Sequence, residues 1–139
     1  MIPEAPFERL TSDHRRLDDL FGQLLAAMNA ADAVAARAAS EAFDEMLRTH
    51  TRMEEEEIFP PAPQEGLAPA LGEGLPRKLY RELRLEHVQI RELSGMIRRL
   101  LGEGVRLDEI PGLAANLARR WDMHTTREER EVFAGHPSS

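Results

Sequence analysis

The run His50-Thr51-Arg52-Met53-Glu54-Glu55-Glu56-Glu57-Ile58-Phe59 returns 74 residues later as His124-Thr125-Thr126-Arg127-Glu128-Glu129-Arg130-Glu131-Val132-Phe133. The shared pattern is H-T-x-x-E-E-x-E-[IV]-F. On a helix, a His and a Glu four positions apart stand one turn apart on the same face. A second match lies upstream, where Leu10-x-x-Asp13-His14-x-x-Leu17 is repeated 73 residues on as Leu83-x-x-Glu86-His87-x-x-Ile90. Each half of the chain therefore reads as a helical hairpin with a His on its first helix and His-x-x-x-Glu on its second. Two such hairpins pack with approximate twofold symmetry.

Outward from these runs, apolar residues recur at spacings of three and four, and no segment alternates as a half-buried strand does. The first helix is expected from Phe7, just after Pro6, through Leu10, Leu17, Phe21, Leu24 and Met28, with a turn at Asn29 to Asp32. Asp32 is placed to cap a second helix that runs through Phe43, Met46, Leu47 and Met53 to Phe59, where Pro60, Pro61 and Pro63 stop it. The stretch Pro60 to Pro76 holds five of the nine prolines and three of the nine glycines, the composition of a connection. A third helix opens at Pro76 and closes at Gly102 and Gly104. Asp108 is expected to cap a fourth, which tolerates Pro111 in its first turn and runs through Val132. The sum is an all-α, up-down-up-down four-helix bundle with an internal two-hairpin repeat. It forms one domain, the bundle spanning about 7–133 and a tail 134–139.

Composition narrows the function. With no cysteine among 139 residues, thiolate nucleophiles, disulfides and Cys-ligated metals are excluded, so any metal must sit on N and O donors. A formal charge of −7, one Trp and one Tyr leave neither a basic face nor a stacking platform, and nucleic acid is set aside. No run of eighteen apolar residues exists and the first thirty are charged by turns. The expectation is a soluble cytoplasmic protein without membrane contact.

The odd feature lies inside the apolar stripes. Walks at three and four pass through each histidine: Leu10, His14, Leu17; Met46, His50, Met53; Leu83, His87, Ile90; Leu117, Trp121, His124. Glu54 and Glu128 follow their histidines by one turn on the same face. If a stripe takes a third of helical positions, four histidines fall on it by chance about once in eighty trials. A lone inward His is usually a hydrogen-bonded core residue, but four in a repeated layout with two Glu reverse those odds. Buried polar groups without partners cost about 1–3 kcal/mol each and a buried carboxylate far more, so the layer needs something to satisfy it. Metal is the economical answer, and a layer of four His and two Glu can hold two ions with the carboxylates between them. Glu55, Glu56 and Glu57 read as a solvated face, Thr51 and Thr125 as bonding the helix backbone, and Trp121 and the six Met residues as core packing. Tyr80, seven residues before His87, is an edge-of-core Tyr within reach of the layer, and His136 in the tail has no assigned role.

On these residues, from about Phe7 to Phe133, the chain resembles the hemerythrin-type (HHE cation-binding) domains. The resemblance implies a bundle around a non-haem di-iron centre with an oxo or hydroxo bridge. His14, His50, His87 and His124 would be its terminal ligands, and Glu54 and Glu128 its bridges. Two departures stand out. Arg91 lies where oxygen-carrying members have a second third-helix His, and Glu128 follows His124 by four residues where they have an Asp at the fifth, here Glu129. The set of four His and two Glu is closer to that of the di-iron proteins that repair iron–sulfur clusters. The implied function is binding of a small diatomic or peroxidic ligand, O2, NO or H2O2, in sensing, scavenging or stress defence. The alternative is an enzyme with peroxidase- or catalase-like turnover, or an iron donor for cluster repair.

Overall fold

The computed structural model describes residues 6–58, 77–104 and 110–133. Four helices account for almost all of them: α1 Pro6–Asn29, α2 Ala33–Met53, α3 Arg77–Gly102 and α4 Pro111–Glu128. Both α2 and α4 run on into a wider π-helical turn, Glu54–Ile58 after the first and Glu129–Phe133 after the second. No strand occurs among the described residues. No described helix is long and apolar enough to cross a membrane. The connection Pro60 to Pro76, the tail with His136, and the expected cap Asp108 lie outside the described residues.

The α1–α2 link is tight because each of its groups is used. The backbone N–H groups of Ala31 and Asp32 bond back to Met28 and Ala27 at 3.0 and 2.9 Å, with Ala31 in the left-handed region at φ 55°. The Asp32 carboxylate then accepts the Ala35 N–H at 3.0 Å, as its capping position predicts. The fourth helix starts on an apolar residue. Its cap is Ile110, without a side-chain capping bond, and Pro111 follows directly, where the missing N–H leaves no donor unsatisfied. Ile110 is fully buried, so an apolar plug anchors this helix start.

Neighbouring helices run antiparallel. Phe21 meets Phe43 and His14 meets His50 across α1 and α2, and Ser94 and Arg91 of α3 bond Asp44 and Thr51 of α2. Across α3 and α4, Gln89 meets Arg120 and His87 meets His124, and Trp121 of α4 bonds Asp18 of α1 to close the ring. The result is the up-down-up-down bundle. One half of its length is apolar, filled by Leu24, Phe43, Ile97, Ile110 and Leu117 among others. Met28 and Met46 pack at its margin, but Met96 and Met123 are exposed, so not every methionine serves the core. The other half holds the histidines.

Candidate metal centre

The six residues picked out by periodicity are all deeply buried polar groups. None of His14, His50, Glu54, His87, His124 and Glu128 exceeds 2% exposure. They form two groups, His14, His50, Glu54, Glu128 and Glu54, His87, His124, Glu128. Within each group the donor atoms lie within 4.8 Å of one another. Both carboxylates belong to both groups, so the layer is two four-donor sets joined by Glu54 and Glu128. The inward Nε2 atoms approach these carboxylates closely: His14 reaches Glu128 at 3.1 Å, and His50 and His87 reach Glu54 at 3.1 and 3.2 Å. His124 lies 3.4 Å from Glu128. Even so, the Nε2 atoms of His50 and His124 and all four carboxylate oxygens are buried without an aligned hydrogen bond. Buried lone pairs converging in this way are the arrangement a cation satisfies.

Each histidine is fixed from behind. His50 Nδ1 lies 3.2 Å from Asp13 and His14 Nδ1 2.9 Å from Glu129. In the other hairpin, His87 Nδ1 lies 2.7 Å from Glu55 and His124 Nδ1 2.6 Å from Glu86. A carboxylate accepts and does not donate, so the Nδ1 nitrogens carry hydrogens, and in the neutral imidazole it is the Nε2 lone pair that points inward. The partners are always supplied by another helix. The acid just before each first-helix histidine, Asp13 or Glu86, holds the second-helix histidine of its own hairpin. The acid just after each inward glutamate, Glu55 or Glu129, holds a histidine of the opposite hairpin. Ring orientation and donor strength at metal sites are set by bonds of this kind.

Glu55 corrects the sequence reading, since a residue assigned to the solvated face orients a histidine, and Glu129 does the same in the other hairpin. The side chains of Glu55 and Glu129 are 28% and 42% exposed, with one end in water and the other on an imidazole. The π-helical turns help to place them. The α-helix ends where the N–H of Glu54 is shared between the His50 and Thr51 carbonyls, and that of Glu129 between the Thr125 and Thr126 carbonyls, and the wider turns Glu54–Ile58 and Glu129–Phe133 follow. This widening sits where the chain turns from a layer glutamate to an orienting one, a position at which π turns often serve a site. Thr51 and Thr125 bond the backbone of Arg48 and Asp122, as expected.

The electrostatics of the layer also point to a cation. Burial raises the Glu54 carboxyl well above its ordinary value, and Glu128 facing it raises it further. Burial works against charge on Glu128 too, but Glu54, His124 and His14 beside it hold it well below the usual range. The two glutamates therefore cannot both be charged without a positive partner between them. Burial, then His14, lowers His50 to about 4, and burial lowers His87. Burial opposes charge on His124 as well, but Glu128 and Glu86 outweigh it and raise that imidazole to about 9. Among the acids behind the histidines, His87 and then Arg91 hold Glu55 low against its partial burial. For Glu86, burial is overcome by His124 and Arg127.

Trp121 forms the floor between the layer and the apolar half. Its ring lies edge-on to His14 at 5.4 Å and near His50 and His124 at 6.3 and 6.2 Å. Its indole N–H donates to Asp18 at 2.7 Å. Tyr80 is buried, and burial raises its phenol. Arg91 donates to Thr51 Oγ1 and Glu55 Oε2, both at 3.0 Å, and so acts on the layer from outside. Arg48, Arg52, Glu55, Glu56 and Arg91 line an open surface pocket of about 360 Å³ that reaches Glu55 but none of the six inward residues.

A four-helix bundle whose buried His and carboxylate groups are compatible with metal binding defines the class. Residues 4–74 match the hemerythrin HHE cation binding domain, and the chain belongs to that family. Neither a curated protein nor a solved structure matches it.

Proposed function

We propose that the bundle over residues 7–133 acts as one domain that holds two non-haem iron ions. His14 and His50 would serve one ion and His87 and His124 the other, with Glu54 and Glu128 bridging together with an oxo or hydroxo group. The observation that carries this reading is the sharing of both glutamates by the two donor sets. Imidazole and carboxylate together suit iron, and six protein donors leave coordination positions open on two ions. When bound, such a pair supplies open positions and one-electron changes for a small diatomic or peroxidic ligand. O2, NO and H2O2 are the candidates, in sensing, scavenging or stress defence. The protein's own part is to hold the donors, keep Nδ1–H outward and Nε2 inward, and exclude bulk water from a layer with almost no exposure. Arg91 is engaged by Glu55 and Thr51, so turnover aided by an anion-binding arginine at the layer gains no support from it.

The test is iron per chain by elemental analysis, with the visible spectrum, on protein from iron-supplemented cells. Two irons with oxo-bridge absorption are expected, and His50→Ala with Glu54→Ala should abolish both. A wild-type chain isolated folded but metal-free from those iron-supplemented cells, or a double variant with unchanged iron, would defeat the reading.

A further inference from the structure

The two donor sets are built alike but not charged alike. On one side, Asp13 behind His50 and Glu129 behind His14 make no bond to Arg or Lys among the described residues. On the other side both orienting acids are held by arginines. Arg91 Nη1 lies 3.0 Å from Glu55 Oε2, the same oxygen that accepts from His87 at 2.7 Å. Arg127 Nη1 lies 2.9 Å from Glu86 Oε2, while Glu86 Oε1 accepts from His124 at 2.6 Å. The internal repeat shows that this is a difference in sequence as well as in contact. Arg91 answers to Asp18 in the first hairpin and Arg127 to Met53, so neither position is basic there.

A carboxylate behind a ligand histidine draws on its Nδ1–H and makes Nε2 a stronger donor. A guanidinium on that carboxylate competes for the same electron density, and bonds between charged partners are the stronger ones. It also cancels negative charge that would attract a cation at short range. Arg127 divides itself among Glu82, Glu86 and Glu131, which dilutes its hold on Glu86. Among the described residues Arg91 has Glu55 as its one carboxylate partner and loads the very oxygen that His87 uses. It is the stronger of the two levers.

Resting on the metal-centre reading above, we propose that the two ion positions differ in affinity. The His14/His50 position is the tight one and the His87/His124 position is the exchangeable one. Arg91 is the positioning residue that sets the difference through Glu55. Loss of an outer partner changes metal affinity by about 10- to 100-fold, and an acid weakened but not lost belongs at the low end, about tenfold.

The experiment starts from the full chain loaded with Zn2+, dialysed against a graded series of chelator concentrations while zinc per chain is measured. Two release steps about tenfold apart are expected. Crystals taken at the one-ion plateau should show anomalous zinc density between His14 and His50. Arg91→Met should strengthen retention in the weaker step several-fold, an outcome that damage to the fold does not produce. Arg91→Lys should keep the wild-type separation, because both contacts come from one nitrogen that an ammonium can replace. A single step, remaining density at His87/His124, or an Arg91→Met profile identical to wild type overturns the inequality alone. A folded chain that retains neither zinc nor iron overturns the metal-centre reading with it.

Discussion

The two halves of the bundle solve the same packing problem with opposite chemistry. In the apolar half, Leu24, Phe43, Ile97, Ile110 and Leu117 are each at most 1% exposed and ask only for one another. In the polar half, six residues of similar burial present donor atoms that converge without completing one another. Burial drives the first half unaided, at about 25 cal/mol per Å² of apolar surface removed from water. The second half is at war with itself until a cation arrives. The apolar half thus acts as a foundation that sets helix register, and the layer as a socket built on it.

That contrast can be broken most forcefully by chelation. If the layer needs an ion, a loaded protein should melt far above the stripped one. A thousandfold ligand excess over Kd corresponds to about 4 kcal/mol, and a domain of this size moves a few degrees per kcal/mol, so roughly 10–20 °C is expected by calorimetry. A melting temperature indifferent to chelator would show the layer to be self-sufficient. The contrast is sharpened from the other side by Leu24→Ala and Ile97→Ala. Each should cost about 2–5 kcal/mol in denaturant unfolding, equally with and without metal, and leave the metal per chain unchanged.

The next effect concerns Asp44, among the described residues the one buried acid outside the layer. Its carboxylate takes Ser94 at 2.9 Å, and Arg48 and Arg98 at 3.0 Å each. Burial works against its charge, yet Arg48, Ser94 and Arg98 outweigh burial and keep it below its ordinary value. A carboxylate held low in the folded state adds stability above its unfolded value of 3.8 and loses it as pH falls through the lower folded value. Asp44→Asn should therefore cost about 1–2 kcal/mol at neutral pH. The difference from wild type should shrink below about pH 4. Urea titrations of both proteins across that range check it, and a pH-independent difference would assign the effect to packing. The smallest effect is expected at Ala31, whose φ of 55° favours glycine. Ala31→Gly should raise stability by up to about 1 kcal/mol without touching either half.

The helices and the layer were legible because both follow period, and burial at period 3.6 is what the bundle enforces. His14, His50, His87, His124, Glu54 and Glu128 all sit where the apolar walks put them. The orienting roles of Glu55 and Glu129 are hidden in the sequence because both are partly wet and stand in charged runs, where a carboxylate is normally solvated. The signal was nonetheless present as a doubled pattern, an acid before each first-helix histidine and a second Glu after each inward one. Asp44 is hidden in the sequence for the reverse reason. It lies between Phe43 and the Met46-Leu47 pair on a buried stripe, and only the α3 residues Ser94 and Arg98, distant in sequence, reveal its purpose. The start of the fourth helix on Ile110 carries no polar signal in the sequence, because burial of an apolar side chain can fix a helix start without a capping bond.

The crossed pattern of orienting bonds has a consequence for how such a molecule can be specified. Asp13 holding His50 lies within one hairpin, whereas Glu55 holding His87 and Glu129 holding His14 pass between hairpins in matching directions. A single hairpin carrying acid-His on one helix and His-x-x-x-Glu-Glu on the next is complementary to its own rotated copy. Half of the sequence therefore encodes the whole layer by symmetry, and the second half is free to diverge, as Arg91 in place of Asp18 has done.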